Sequence, residues 1–118
     1  MIVPLTVADF LDRAQLAYGD RIGVVDEPDQ PAPSLGSLTY RQIGQLATQC
    51  AAALDELGIQ PGERVAIVSQ NSARLLILLY AVSGAGRILV PVNFRLHPSE
   101  IAYIIEHSDL PGFSRREL

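Results

Sequence analysis

The stretch that decides the fold is YAVSGAGRILVPVNFRLHPSE, from Tyr80 to Glu100. An apolar helical run ends there at two glycines, and Ile88 to Val92 then forms a short apolar, strand-like run. Pro91 places that strand near a sheet edge or a strand end, because proline cannot donate to the hydrogen-bond ladder. Pro98 is typical of the first position of a new helix. The stretch therefore predicts a helix, a strand and a second helix in succession.

The residues before this stretch predict the same alternation. Arg64 to Ser69 (RVAIVS) reads as a buried strand, and a helix that is apolar nearly all round is predicted from about Ala73 to Gly84. Two near-continuous apolar strands joined through a helix predict a right-handed parallel crossover. The predicted class is α/β, built on an incomplete parallel-sheet βαβ unit.

The N-terminal part predicts two amphipathic helices with a strand and a loop between them. Thr6 to Ala17 has helical apolar spacing, Ile22 to Val25 is a short β-branched run, and DEPDQPAPSLGS (26–37) is a proline-rich surface loop. Thr39 and Gln42 form a capping box at the start of the second helix. That helix carries an apolar stripe, which consists of Ile43, Leu46, Ala47, Cys50, Leu54 and Leu57.

Several side chains are predicted to have no chemical role. Cys50 lies in the apolar stripe, so we expect a packed, inert thiol. The acidic pairs Asp26/Glu27 and Asp55/Glu56 are predicted to lie on solvated surface. A near-continuous apolar helix is also expected to be buried on more than one side, and the last helix is expected to face inward through Ile101, Ile104 and Ile105.

Composition narrows the class of protein. The 118 residues are 48% hydrophobic and 19% charged, which fits one globular domain or part of one. A net charge of −4 without basic blocks argues against nucleic-acid binding. The longest apolar run is too short to span a membrane, and the first residues lack the basic region of a secretory signal, so we expect a cytoplasmic location. All nine basic residues are arginine, which excludes any mechanism that uses a lysine of this chain.

In this order the elements resemble the start of the AMP-forming acyl-CoA synthetase (adenylate-forming, AMP-binding) superfamily. The resemblance covers roughly residues 5 to 108 and rests on LTYRQIGQLA (38–47), LGIQPGERVAIVSQNS (57–72) and YAVSGAGRILVPVNFRLHPSEIAYIIEHS (80–108). It leans towards the fatty-acyl and aryl-CoA ligases. It implies that residues 1–108 are a partial N-terminal subdomain of an AMP-binding domain.

The sequence departs from the family pattern in four places. Arg87 stands where a small residue is usual, His97 stands where a Thr or Ser cap is common, and the loop at 26–37 is longer than usual. The tail at 109–118, DLPGFSRREL, lacks the apolar strand that usually follows. We interpret this tail as a sign of truncation or of a frameshift.

The resemblance implies ATP, Mg and coenzyme A as cofactors of the parent family, which activates a carboxylate as an acyl-adenylate. That chemistry needs a Thr/Ser/Gly-rich loop ending in Pro-Lys-Gly, an Asp for the ribose and a lysine in a C-terminal domain. None of these is in the sequence. We therefore expect no catalytic residue, no cofactor bound by this chain and no activity of the chain alone.

Asn71, Asn93 and Arg95 are the only candidates for ligand contact. They follow the carboxyl ends of the two predicted parallel strands, where ligands bind in open α/β sheets. Structural capping is the competing interpretation. No metal site is predicted, because His97 and His107 are ten residues apart and point to different faces of a helix.

Three functions remain open. The first is the N-terminal part of an ATP-dependent fatty-acid–CoA ligase, with the rest of that ligase as partner. The alternative is a stand-alone interaction or oligomerisation domain that associates through an exposed sheet edge. A small nucleotide-binding α/β domain is the weakest, since no glycine-rich strand-to-helix turn is present.

Overall fold

A computed structural model describes residues 6–108, and these residues form an α/β unit with four helices and four strands. The fold class predicted from the sequence is confirmed. The interpretation of the tail at 109–118 lies outside the described residues. The elements, in chain order, are α1 (Val7–Tyr18), β1 (Ile22–Val25), β2 (Ser37–Thr39), α2 (Tyr40–Glu56), β3 (Arg64–Ser69), α3 (Ala73–Ser83), β4 (Ile88–Asn93) and α4 (Pro98–His107).

The central feature is the predicted parallel pair. β3 and β4 run parallel in unbroken register, from Arg64 opposite Ile88 to Ser69 opposite Asn93, and α3 connects them. One face of this pair is buried against α3, where Val82 is fully inaccessible. The small core there consists of Leu54, Ile59, Val65 and Val82, with Ile67 and Leu89 packed against it.

A second, larger core joins α1, β2 and α2 to α3. It consists of Leu11, Leu38, Ile43, Ala47, Ala73, Ile77 and Ala81. α3 contacts α1, α2, β3 and β4, which confirms that it is buried on more than one side. Half-buried Cys50 packs against this core, and burial raises the pKa of its thiol above the ordinary value of 9.0. This environment agrees with the predicted inert thiol, because a raised pKa leaves little thiolate near neutral pH.

The helix starts follow from local sequence. Thr6 and Asp9 form a capping box on α1, and Thr39 and Gln42 form one on α2. In the second box the Gln42 side chain accepts a hydrogen bond from the Thr39 amide at 2.8 Å, and the Thr39 hydroxyl accepts one from the Gln42 amide at 3.2 Å. These bonds satisfy amides that have no partner inside the helix. At the far end of α2, Gly58 adopts a φ of 80°, as expected for a glycine stop.

One strand was not predicted. Ser37 was placed at the end of the proline-rich loop and Thr39 at a helix cap, yet Ser37–Thr39 (β2) pairs antiparallel with β1 and forms a separate two-stranded sheet. Three residues are too short to show the alternation that marks a strand. The predicted inward face of α4 is present, since Ile101, Ile104 and Ile105 are half-buried while the residues between them are exposed, and α4 contacts β4. Between residues 6 and 108, no helix has the length and apolarity to cross a membrane.

Candidate functional site

An open cleft of about 580 Å³ lies at the carboxyl ends of β3 and β4. Asn71, Asn93 and Arg95, the three candidates taken from the sequence, all line it. They meet there because the carboxyl ends of parallel strands lie on the same edge of a sheet. The structure therefore brings the predicted residues together, and whether they bind a ligand stays a prediction.

The β4 side of the cleft is a tight turn. The Asn93 side-chain oxygen accepts a hydrogen bond from the Arg95 amide at 2.9 Å, which is the Asx-turn bond that asparagine commonly forms. Phe94 is 45% exposed, and the Arg95 guanidinium lies 5.5 Å from the centre of its ring. Asn93 thus has a turn-forming role, which matches the capping interpretation. Between residues 6 and 108, Arg95 is the one cationic side chain that lines the cleft.

The β3 side leads directly into α3. Ser72 caps this helix, and its hydroxyl accepts a hydrogen bond from the Leu75 amide at 3.4 Å. At the end of β3, the Ser69 hydroxyl donates a hydrogen bond to the Gln70 carbonyl at 2.8 Å. Ser72 is therefore the cap, and its neighbour Asn71 is exposed and lines the cleft.

The cleft also has an acidic wall, which was not predicted. Glu27 and Asp29, from the proline-rich loop, line the cleft together with Gln70. Nothing in the local sequence links residues 27 and 29 to residues 70–95. The contact depends on how the loop folds back, and the residue that fixes it is Asp26.

The prediction that Asp26 lies on solvated surface is wrong. Asp26 is only 4% exposed, and its carboxylate accepts hydrogen bonds from the amides of Leu35 and Ala73 at 2.7 and 2.9 Å. The bond from Leu35, followed by the bond from Ala73, has the largest effect on the Asp26 pKa and lowers it to about 2, although burial acts in the opposite direction. A carboxylate directly after a strand can reach the free amides at a helix start. The position of Asp26 directly after the predicted strand at 22–25 was the one sequence signal for this role.

Asp55 was predicted to lie on solvated surface, and this is confirmed, because its side chain is 71% exposed. Its carboxylate also pairs with Arg87, whose side chain is only 1% exposed, and this pairing was not predicted. The Arg87 guanidinium also donates to the Ile59 carbonyl at 2.6 and 3.2 Å. This group lies at the amino end of β4, at the other end of the strand from the cleft. A residue unusual for the family is thus integrated into the packing.

The described residues of the cleft do not fit a nucleotide triphosphate or its metal. They include two carboxylates and one guanidinium, whereas a triphosphate needs convergent amides and cations. Gly84 and Gly86 follow the end of α3 and do not precede a helix, so they offer no phosphate-binding loop. His97 caps α4 by accepting from the Ser99 amide at 3.2 Å. In the part of the chain that the structure describes, no cluster of three metal-binding side chains occurs.

Comparison with known proteins gives one consistent family. The profile of the AMP-binding enzymes matches residues 10–112. The 3-methylmercaptopropionyl-CoA ligase of Ruegeria lacuscaerulensis is 33% identical over 111 residues, which are 92% of this chain and 20% of that protein. A medium/long-chain-fatty-acid–CoA/3-oxocholest-4-en-26-oate–CoA ligase of Mycobacterium tuberculosis is 33% identical over 110 residues, covering 93% of this chain and 19% of the relative.

Solved structures agree with the sequence relatives. The anthranilate CoA ligase AuaEII, in complex with anthranoyl-AMP, superposes with a TM-score of 0.79 at 25% identity, over 93% of this chain and 20% of that one. A Mycobacterium tuberculosis fatty acyl CoA synthetase gives a TM-score of 0.76 at 30% identity, over 89% and 20%. The chain spans about a fifth of the length of the curated relatives it matches. By both sequence and fold, this chain belongs to the AMP-binding enzyme family.

Proposed function

We propose that the chain is the N-terminal part of an ATP-dependent, AMP-forming fatty-acid–CoA ligase, in which it acts as scaffold. The observation that carries this proposal is the family match over residues 10–112, supported by relatives named as fatty-acid–CoA ligases. A cytoplasmic location and the use of ATP, Mg and coenzyme A by the complete enzyme belong to the same proposal.

Two features of the chain support the scaffold role: its lack of lysine and the charge of its cleft. It contains no lysine, and the acidic cleft is unsuited to a triphosphate. Formation of an acyl-adenylate requires preorganised donors and cations around the developing charge. We therefore assign the reactive groups to regions of the complete ligase outside this chain, and none to Asn71, Asn93 or Arg95.

Two measurements on one reaction test the proposal. The purified 118-residue chain, given ATP, magnesium and a fatty acid, should show no exchange of pyrophosphate into ATP. A chimera in which residues 6–108 replace the matching segment of the Mycobacterium tuberculosis fatty-acid–CoA ligase should catalyse that exchange. Its rate should lie within about tenfold of the unmodified ligase, since a scaffold substitution leaves the transition-state contacts in place.

Each half of the test can fail separately. Exchange by the isolated chain above the background without enzyme would contradict the scaffold role. A chimera that is soluble and unfolds cooperatively, yet is inactive beside an active parent, would contradict the assignment to fatty-acid–CoA ligases. The matched control is the parent ligase carried through the same cloning junctions with its own segment restored.

A self-associating interaction domain is the second candidate, and one observation favours it. On the face of the β3–β4 pair that points away from α3, Val68 and Ile88 are each 47% exposed. Exposed apolar surface on a short open sheet favours association with another chain. In the ligase proposal, the remainder of the enzyme covers this face. In the second candidate, another copy covers it.

A further inference from the structure

The carboxylate of Asp26 collects four hydrogen bonds. Its Oδ1 atom accepts from the amides of Glu27 at 3.1 Å and Ala73 at 2.9 Å. Its Oδ2 atom accepts from the Gln30 side chain at 2.8 Å and the Leu35 amide at 2.7 Å. Each oxygen serves two donors, so all four of its favourable acceptor positions are used.

Two of these donors lie near the far end of the proline-rich loop and at the start of α3. Leu35 is near the far end of the loop, and the Asp26 amide donates to the Gly36 carbonyl beside it at 2.9 Å. Ala73 is the first residue of α3, 47 positions further along the chain, and its amide has no partner inside the helix. The carboxylate therefore joins both ends of the loop to each other and to the helix that leaves the cleft.

A further side chain carries this connection into the cleft. Gln30 donates to Asp26, and its own oxygen accepts a long hydrogen bond of 3.5 Å from the Gln70 side chain. Gln70 lines the cleft, and so do Glu27 and Asp29 of the loop, together with Asn93 and Arg95.

We propose that residues 26–37 form a strap along the carboxyl edge of the parallel pair, and that Asp26 is the clasp that holds the strap closed. Leu35 is the strap residue that packs against the core. The β1–β2 ladder already holds the two ends of the strap together, and with so little apolar burial the hydrogen bonds of the Asp26 side chain determine where the strap lies against α3. The clasp positions the acidic wall and Gln70 without itself lining the cleft. This inference is independent of the proposed ligase role.

The substitution Asp26→Asn tests the clasp. The amide keeps one oxygen and replaces the other by NH2, which cannot accept a hydrogen bond. Whichever way the amide turns, either Leu35 or Ala73 loses its acceptor. Hydrogen exchange followed by NMR should therefore show at least one of these two amides exchanging about tenfold faster than in the unmodified chain. The side-chain NH2 signals of Gln70 should also shift.

The matched control is Asp20→Asn, the same chemical change at a carboxylate whose side chain is 89% exposed. It should leave the amides of Leu35 and Ala73 and the side chain of Gln70 unchanged. Amides of the β3–β4 ladder should keep their rates in both variants, which separates opening of the strap from global unfolding.

Two results would overturn the clasp. One is a folded Asp26→Asn variant in which both amides exchange no faster than in the Asp20→Asn control. If the variant does not fold, the unmodified chain decides. There the amides of Leu35 and Ala73 should be protected to a similar degree as the Leu76 amide, which bonds to the Ser72 carbonyl at 3.2 Å in the first turn of α3. Exchange of both at the rate of an unstructured peptide would mean that no clasp exists.

Discussion

Asp26 makes the stability of this fold depend on pH. The amide of Leu35 and then that of Ala73 lower its pKa from the ordinary 3.8 to about 2. A group with a lower pKa in the folded state stabilises the fold above its unfolded pKa, and that contribution is lost as the pH falls through the folded value. We therefore expect the Asp26 contribution to be complete above pH 3.8 and to disappear progressively towards pH 2.

Urea unfolding of the unmodified chain and of Asp26→Asn across this pH range measures that contribution. The unmodified chain should have the higher urea midpoint near neutral pH, and the gap should narrow as the pH falls below 3.8. Asp20→Asn serves again as the control, because its carboxylate is exposed. A gap of constant size from neutral pH down to about 2 would show that Asp26 does not titrate as its hydrogen bonds require.

Between elements, the Arg87 group connects the start of β4 to the end of α2. Replacing Arg87 by alanine removes a buried side chain, leaves the Ile59 carbonyl without its donors and frees Asp55. Asp55 is 71% exposed and can be rehydrated, so the cost arises mainly from the cavity and the carbonyl. We expect Arg87→Ala to lower the free energy of unfolding by about 2 to 3 kcal/mol.

The chain offers a matched control for Arg87→Ala. Arg41 also pairs with an aspartate, Asp20, but both side chains are more than half exposed. Arg41→Ala should therefore cost less than about 1 kcal/mol. Urea denaturation of both variants makes the comparison, and equal losses would mean that burial does not distinguish the two pairs.

The elements also show which features a sequence can predict. The capping box at Thr39 and the bounds of β3 and α3 depend on neighbours within a few residues, and the sequence predicted them. The parallel pairing followed from the alternation of strand and helix, and it placed Asn71, Asn93 and Arg95 at one edge. β2, the Asp26 clasp and the acidic wall depend on contacts between distant residues, such as the 47-residue separation of Asp26 and Ala73. No periodicity encodes such contacts.

At the scale of the whole molecule, the two faces of the β3–β4 pair are unequal. α3 covers one face and forms the core around Val82. The other face presents Ile88, Val90 and Val68, while Val92 near the end of β4 is buried. A parallel sheet is usually covered on both faces. The proposed scaffold role accounts for the open face, because the remainder of a ligase would cover it.

An open apolar face predicts behaviour of the isolated chain. We expect the 118-residue chain to bind an apolar fluorescent dye and to increase in mass with concentration in light scattering, because the uncovered face finds another copy. Val68→Asp places a charge on that face and should suppress both effects. Leu16→Asp is the control, since Leu16 is 90% exposed on α1, away from the face. A chain that stays monomeric without binding dye would refute the interaction-domain candidate. Suppression by both substitutions would point to net charge, not the sheet face, as the cause.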